Sequence, residues 1–323
     1  MRVSARLVVP AMLFAAVAVW PARASAKLEK FTVGLVNWIG YSGLFVGEAK
    51  GYFEAEGLDV ENRVFSSPGD GLAPVMNGDL DMHFTTLDVV IKLADKSPGD
   101  LKIPFLVDAS RGADAFIAKP QYATVKDLKG KQIAATVGEC NHLLLLKALE
   151  AAGMKESDIE LVNMNPDDAG TAFAAGKLDG AVTWEPWITK ATSAGQGHVV
   201  FSSKDAPYVI IDVLVMSPKH GNRKHIEAFL RGMVRAHEFI AANPAESAAI
   251  AAKAFEQTPE EAAAMLTKVK FFSKAENFSE LGTEAAPGPM IPATKDLVDF
   301  FLNRKVIDKP LAPWSLYDLS YLK

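Results

Sequence analysis

A strand-and-helix alternation that runs its course and then starts again constrains this chain more than any other feature. Phe31–Val36 (FTVGLV) has strand character, Leu44–Glu56 has helical spacing and closes at Gly57, and Leu58–Phe65 returns to a strand pattern. The turn SSPGDG at 66–71 leads into a short helix through Met76. Leu80–Thr85 reads as a third strand, Leu87–Lys96 as a helix, and Ile103–Ala109 and Ala115–Ala118 as strands. Parallel strands need a crossover long enough to carry a helix, so this order builds a parallel or mixed sheet. The order then restarts. Lys131–Val137 is a strand, His142–Ala152 an apolar helix ending at Gly153, Ile159–Met164 a strand, Asp167–Ala175 a helix and Gly180–Trp184 a strand. Val199–Phe201 and Tyr208–Met216 follow as strands. From Asn222 to about Lys268 the pattern is mostly helical and rich in alanine, and beyond Pro287 Pro-rich turns alternate with one helix at Thr294–Arg304.

Two short motifs tie the halves together. Gly78-Asp-Leu-Asp81 precedes the strand MHFTT, and Gly176-Lys-Leu-Asp179 precedes GAVTW, 98 residues later. Each is a helix, then Gly-x-Leu-Asp, a short strand and a polar turn. On that alignment Thr86-Leu87 corresponds to Trp184-Glu185. Both pairs follow the carboxyl end of a strand, where open α/β sheets bind ligands. In two facing lobes these loops would look at each other across a cleft.

The ends and the composition set the compartment. Arg2 and Arg6 open the chain, Leu7 to Trp20 is an apolar run, and Ala24-Ser25-Ala26 is a small-x-small cleavage site; together these read as a secretory signal peptide over residues 1–26. No other stretch approaches the ~20 apolar residues of a membrane span. Loss of residues 1–26 removes Arg2, Arg6 and Arg23 and no acid, which moves the formal charge from −5 to −8. An acidic chain argues against a nucleic-acid partner, which calls for clustered Lys and Arg. Cys140 is the single cysteine, so an exported chain of this kind has no internal disulfide and relies on core burial. With 49% hydrophobic residues in 323, that core is available.

GYFEAEGLDV (51–60), NGDLDM (77–82), DLKGKQIA (127–134) and AAGKLDGAVTWEPW (174–187) resemble the periplasmic solute-binding proteins of ABC importers. The most similar branch serves taurine, aliphatic sulfonates, nitrate and thiamine-precursor pyrimidines. The resemblance covers roughly residues 31–217. It implies an α/β fold of two lobes, the type II periplasmic binding protein fold, each lobe a mixed sheet flanked by helices with the ligand cleft between them. It also implies lobe one from 27–112, lobe two from 113–205 and a return to lobe one over 206–323. The crossings would fall near Ser110–Asp114 and Ser203–Pro207. The implied partners are a small-molecule ligand and a membrane permease, with the chain itself a monomer and no cofactor.

Candidate site residues lie in the strand-end loops. Lobe one offers Trp38 and Tyr41 around a glycine, Ser66, Ser67 and Asp70, and Thr85, Thr86 and Asp88; lobe two offers Glu139, Asn141, His142, Trp184 and Glu185; Arg111, Asp114 and Asp212 sit by the crossings. Ser67 and Thr86 have the form of helix N-caps, and the spare N–H groups of a helix start also suit an anion. Trp38 and Tyr41 are a pocket wall or a lid on the core. Asn141 is an N-cap or a ligand contact, and His142 reads as a surface residue of the first turn. Cys140 reads as an incidental thiol.

Six acids, Asp70, Asp88, Asp114, Glu139, Glu185 and Asp212, stand against one base, Arg111. A bare inorganic anion would call for more positive charge. A zwitterion such as an aminosulfonate suits both ends of the site: its anion at the Ser/Thr helix starts, its ammonium at Glu185 or an Asp. Trp184 would add cation–π contact, while Trp187 reads as packing. The sequence carries no phosphate-binding Gly-x-x-x-x-Gly-Lys-Ser/Thr loop, no Gly-x-Gly-x-x-Gly, no Gly-x-Ser-x-Gly elbow and no His pair at metal spacing. The expectation is therefore a non-enzymatic receptor for taurine or another aliphatic sulfonate. A cationic nitrogen compound, a thiamine-precursor pyrimidine or nitrate are alternatives within binding, and a secreted enzyme on the same fold is the alternative outside it.

Overall fold

The computed structural model of the chain describes residues 27–322, so the expected signal peptide at 1–26 lies outside the described residues. In chain order the strands are β1 (Glu29–Leu35), β2 (Leu58–Val64), β3 (Met82–Thr86), β4 (Lys102–Ser110), β5 (Asp114–Ala118), β6 (Gln132–Ala135), β7 (Glu160–Asn163), β8 (Gly180–Trp184), β9 (His198–Ser202), β10 (Ile211–Met216) and β11 (Val269–Phe271). The helices are α1 (Ser42–Ala49), α2 (Tyr52–Ala55), α3 (Leu72–Asn77), α4 (Leu87–Lys96), α5 (Cys140–Ala151), α6 (Pro166–Ala174), α7 (Trp187–Ser193), α8 (Arg223–Ala242), α9 (Pro244–Ala254), α10 (Pro259–Leu266), α11 (Lys274–Leu281) and α12 (Met290–Asn303). The single helix expected over 44–56 is two helices. Gly51 takes a left-handed φ of 66° between them, which an α-helix cannot contain. β11 and α11 carry no sequence signal strong enough to have been anticipated. The first is three residues long, and the second is announced only by its Ser273/Glu276 capping box.

The strands form two sheets of the same plan. Sheet one runs β2-β1-β3-β10-β4-β11 and sheet two runs β7-β6-β8-β5-β9. In each, three parallel strands come from a β-α-β-α-β run, and the fourth is antiparallel. That fourth strand arrives from the other lobe: β10 enters sheet one after β9, and β5 enters sheet two after β4. The two passages lie side by side. Ser110 Oγ and Ser203 Oγ are 2.8 Å apart, and Gly112 N–H donates to Ser203 Oγ at 2.6 Å.

The Gly-x-Leu-Asp motif has a physical job in both lobes. Gly78 and Gly176 end α3 and the α6 turn in left-handed conformations, φ 82° and 73°. The aspartate that follows then bonds twice to the first strand. Asp81 N–H donates to the Thr32 carbonyl at 3.0 Å, and Thr32 N–H donates back to Asp81 Oδ2 at 2.7 Å. Asp179 does the same with Gln132, at 3.0 and 3.3 Å. The motif thus sets where the third strand begins.

Helices cover both faces of sheet one. Phe31, Phe53 and Phe229 stack in series, with centroids 4.7 and 4.9 Å apart, and pin α2 and α8 to β1. All three are buried; each such side chain stabilises the fold by about 1.5–3 kcal/mol. Glycine permits the closest approaches. Gly47 and Gly232 leave room for the Phe53 ring, which a Cβ at either position would meet at 2.4–2.5 Å.

Candidate ligand cleft

The third strands of the two lobes end at one place, and the 98-residue offset holds atom by atom. Thr85 Oγ1 donates to the Pro68 carbonyl at 2.7 Å; Thr183 Oγ1 donates to the Pro166 carbonyl at 2.7 Å. Side chains alternate along a strand, so the next residue faces the other way. Those residues, Thr86 and Trp184, are buried at the mouth of each sheet. Each has an aspartate as cross-strand neighbour on the antiparallel fourth strand. Asp212 stands opposite Thr86 and Asp114 opposite Trp184, again 98 residues apart.

Lobe one adds a second carboxylate. Asp108 on β4 is in register with Asp212 on β10, and both are buried. Tyr41 Oη donates to Asp212 Oδ1 at 2.6 Å, while Asp212 Oδ2 and both oxygens of Asp108 have no hydrogen-bond partner among the described residues. The Trp38 indole nitrogen stands beside Asp108. A Cβ on Gly40 would lie 2.2 Å from Trp38 Nε1 and 2.3 Å from Asp108 Oδ2, so only glycine admits this arrangement. Burial, with the neighbouring Asp114 charge adding to it, pushes Asp108 up to about 8. Burial and the Asp108 charge raise Asp212 well above the usual carboxylate range. Asp114 rises to about 7, from burial first and the Glu185 charge second. Tyr41 rises for the same two reasons, burial and Asp212.

Lobe two presents aromatic and amide groups. The Trp38 and Trp184 rings meet across the cleft with centroids 6.0 Å apart. The indole N–H groups of Trp184 and Trp187 both donate to Asp167 Oδ1, at 3.0 and 2.7 Å. Trp187 packs on Gly170, where a Cβ would come within 2.4 Å of the ring. Asn141 lies in the first turn of α5, buried, with its side-chain amide nitrogen unpartnered. The α5 N-cap is Glu139, not Asn141. Cys140 is buried among Asp88, Asp114, Glu139 and Asp212; burial and those charges raise its thiol well above the usual value, which suppresses the reactive thiolate.

Several contacts hold the lobes against each other. Lys268, next to β11 of lobe one, pairs with Glu185 of lobe two. Lys92 pairs with Asp88 at 2.7 Å and also reaches the Gly138 carbonyl of lobe two. Ser67 Oγ lies 3.5 Å from Glu139 Oε1. Burial, then the Asp88 charge, raises Glu139 to about 7.

Of the residues expected at the site, Trp38, Tyr41, Thr86, Asp114, Trp184 and Asp212 are buried and adjoin one another in pairs near the strand ends, and Asn141 is buried in the first turn of α5. Two expected contacts have other work. The Thr85 hydroxyl faces away from the cleft onto Pro68. Glu185 is buried but fully engaged: Thr189 N–H and Oγ1 donate to its two oxygens at 3.0 Å each, and Lys268 neutralises it. It precedes α7 and is not a surface acid of a first turn. Asp88 is buried with one oxygen on Lys92 and one unpartnered. Ser67 is half-exposed at the lobe boundary, Asp70 caps Ser67 N–H from the surface, and His142 Nε2 lies 3.3 Å from Glu156 Oε2. Arg111 is exposed at the first crossing. Sequence reasoning missed Asp108, Asp167, Lys92 and Lys268. The signal for Asp108 was a lone acid inside the apolar run IPFLVDAS.

The chain has recognisable relatives. The family model described as NMT1/THI5 like matches residues 38–247. Over 209 residues the chain is 27% identical to the taurine-binding periplasmic protein of Escherichia coli (strain K12), covering 62% of this chain and 63% of that one. The alkanesulfonate-binding protein of Xanthomonas axonopodis pv. citri, solved bound to MOPS, superposes with a TM-score of 0.74 at 19% identity, covering 91% of this chain and 99% of that one. The periplasmic nitrate-binding protein of Synechocystis PCC 6803 superposes with a TM-score of 0.67 at 16% identity, covering 89% and 84%. At these identities the structural likeness carries the fold, two lobes each built on a mixed sheet.

Proposed function

The chain belongs to the NMT1/THI5-like family, and from that premise we propose that it is the periplasmic substrate-binding component of an ABC importer. It captures a small organic solute between its lobes and delivers it unchanged to a membrane permease. One observation carries this reading: buried polar groups from both lobes, unpartnered among the described residues, lie side by side at the carboxyl ends of the two sheets. Such groups are costly to bury alone and are the usual handles of a ligand. The two crossings beside Ser110 and Ser203 supply a hinge.

Taurine and other aliphatic sulfonates are the first candidate solutes, supported by the names of the relatives. A sulfonate would find donors in the Trp38 indole, the Thr86 hydroxyl and the Asn141 amide, and the ammonium of taurine would find the aspartates. Receptor action rather than catalysis is supported by the suppressed Cys140 thiol. A ligand at a hundred times its Kd adds about 2.7 kcal/mol to the folded state. Thermal unfolding with taurine and alkanesulfonates at millimolar concentration tests the reading, with mass analysis of the recovered solute. A raised Tm with intact solute is expected. Turnover would overturn the receptor assignment, and no rise with any sulfonate would remove that ligand class.

A further inference from the structure

The charge of the solute follows from the cleft's carboxylates, on the footing of the receptor reading above. Asp108 and Asp212 stand directly opposite each other on neighbouring antiparallel strands, where like charges repel. Asp114, from the other crossing, acts on both. All three are buried, and among the described residues no Lys, Arg or His nitrogen lies within ion-pair distance of any of them. The contrast with their neighbours is informative. Asp88 and Glu185 are equally buried, and each has its own lysine, Lys92 and Lys268. Three non-acidic groups of the candidate site are also buried without partners among the described residues: Trp38 Nε1, Thr86 Oγ1 and Asn141 Nδ2. Four carboxylate oxygens without a partner among the described residues therefore lie at the strand ends of the two lobes, beside a tryptophan pair whose faces can receive positive charge.

We infer that the cleft selects a solute with a cationic nitrogen end, an ammonium or amidinium, held between Asp108, Asp212 and Asp114 against the Trp38–Trp184 pair. A metal ion fits less well: among the described residues no three of His, Cys, Asp and Glu converge as ligands. An organic cation with several N–H donors spans carboxylates on separate strands. Without the cation, burial favours the protonated forms of these acids, which lessens the charge left between the lobes. Arrival of the cation stabilises the ionised forms and releases protons. The other charges facing the group are already balanced or neutral: Tyr41 from the α1 side, Asp88 with Lys92 on α4, Cys140 and the raised Glu139 at the start of α5, and Glu185 with Lys268. A protonated Asp108 could instead donate to an anion, and pH separates the two cases.

The test is isothermal titration of the folded protein with taurine, ethanesulfonate (taurine without its amine), ethanolamine and acetamidine at pH 6.5 and 8.5. The amine and amidinium probes are expected to bind and ethanesulfonate to fail. Affinity should rise with pH, by up to about tenfold per unit for each proton released. Asp108→Asn and Asp212→Asn should each weaken the cationic probes by about thirty-fold or more. Asparagine keeps the side chain's size and removes a buried carboxyl, so both variants should melt no lower than the parent at pH 8.5. Ethanesulfonate binding as tightly as taurine, or affinity falling with pH, would overturn the inference and leave the receptor reading intact. Failure of all four probes, anionic and cationic alike, would overturn the receptor reading itself.

Discussion

The two lobes end their third strand in nearly the same words, Thr85-Thr86-Leu87 and Thr183-Trp184-Glu185, and the difference lies entirely in the second and third residues. The first threonine of each is frame: it donates 2.7 Å to a proline carbonyl 17 residues upstream. The next residue points the other way along the pleat, and there the lobes diverge into a hydroxyl and an indole. The fourth strands repeat the lesson. Asp212 and Asp114 occupy equivalent places, yet Asp212 has Asp108 beside it, whereas the main chain at Asp114 is met by Ser203, whose N–H donates to the Asp114 carbonyl at 3.0 Å. One frame, used twice, thus holds two chemistries. Contacts between side chain and backbone fix the frame, and residues one step along the pleat carry specificity.

The largest expected effect breaks this comparison at the fourth strand. Asp108, at about 8, and Asp114, at about 7, lie above the ordinary carboxylate value. Between pH 4 and those values the folded chain retains protons that the unfolded chain has lost. The stability they contribute is therefore fully present below about pH 4 and is lost as pH rises toward 8. The buried His83 and His237, lowered to about 4, act with the opposite sign up to about pH 6.5, so denaturant unfolding of the ligand-free protein at pH 6.5 and pH 8 should show the higher stability at pH 6.5, with a difference on the order of a few kcal/mol. Asp108→Asn should flatten that slope more than Asp114→Asn, because lobe one carries two acids in register and lobe two carries one. Equal slopes in the two variants would mean that the paired carboxylates do not act as a pair.

The frame was legible in the sequence, and much of the chemistry was not. Gly-x-Leu-Asp is a local motif with a local cause, a left-handed glycine and an aspartate returning to the first strand, so four residues sufficed to find it. Helix α4 was legible to the residue because Thr86 is extended and Asp88 pairs with Lys92 at i, i+4. Asp108 was hidden because its importance comes from β10, which lies about a hundred residues on and crosses from the other lobe. The engagement of Glu185 was hidden for the same reason. Its partner Lys268 is 83 residues distant and belongs to the other lobe, so no local pattern announces that the charge is already satisfied. Asp167, which takes both tryptophan N–H groups, looked like an ordinary acid in a helix's first turn.

A middle-sized effect sharpens the contrast between the tryptophans. Trp184 and Trp187 are anchored on Asp167, whereas the Trp38 indole N–H, beside Asp108, has no hydrogen-bond partner among the described residues. Asp167→Ala removes one acceptor from two donors. A buried donor left unpaired costs about 1–3 kcal/mol, and Trp187 is half-buried and can recruit water. A loss of about 2 kcal/mol in unfolding free energy is expected, together with a change in tryptophan fluorescence. The corresponding change in lobe one, Trp38→Phe, removes a donor that stands beside Asp108 without a formed hydrogen bond among the described residues. It should cost less stability and should weaken binding more.

The smallest effect is the most exacting for the idea of a shared frame. Thr85→Val and Thr183→Val replace a hydroxyl by a methyl of similar shape at equivalent, buried positions. Each change removes one neutral hydrogen bond to a proline carbonyl, of the same length in both lobes. Such a bond contributes about 1 kcal/mol, so the two variants should lose about the same amount. The sites lie in different sheets and share no partner, so the double variant should lose the sum within about 0.5 kcal/mol. Neither variant should alter ligand affinity, because both hydroxyls face away from the cleft. A clear inequality would show that the 98-residue echo preserves shape without preserving energy. A loss of affinity in Thr85→Val alone would return that residue from the frame to the site.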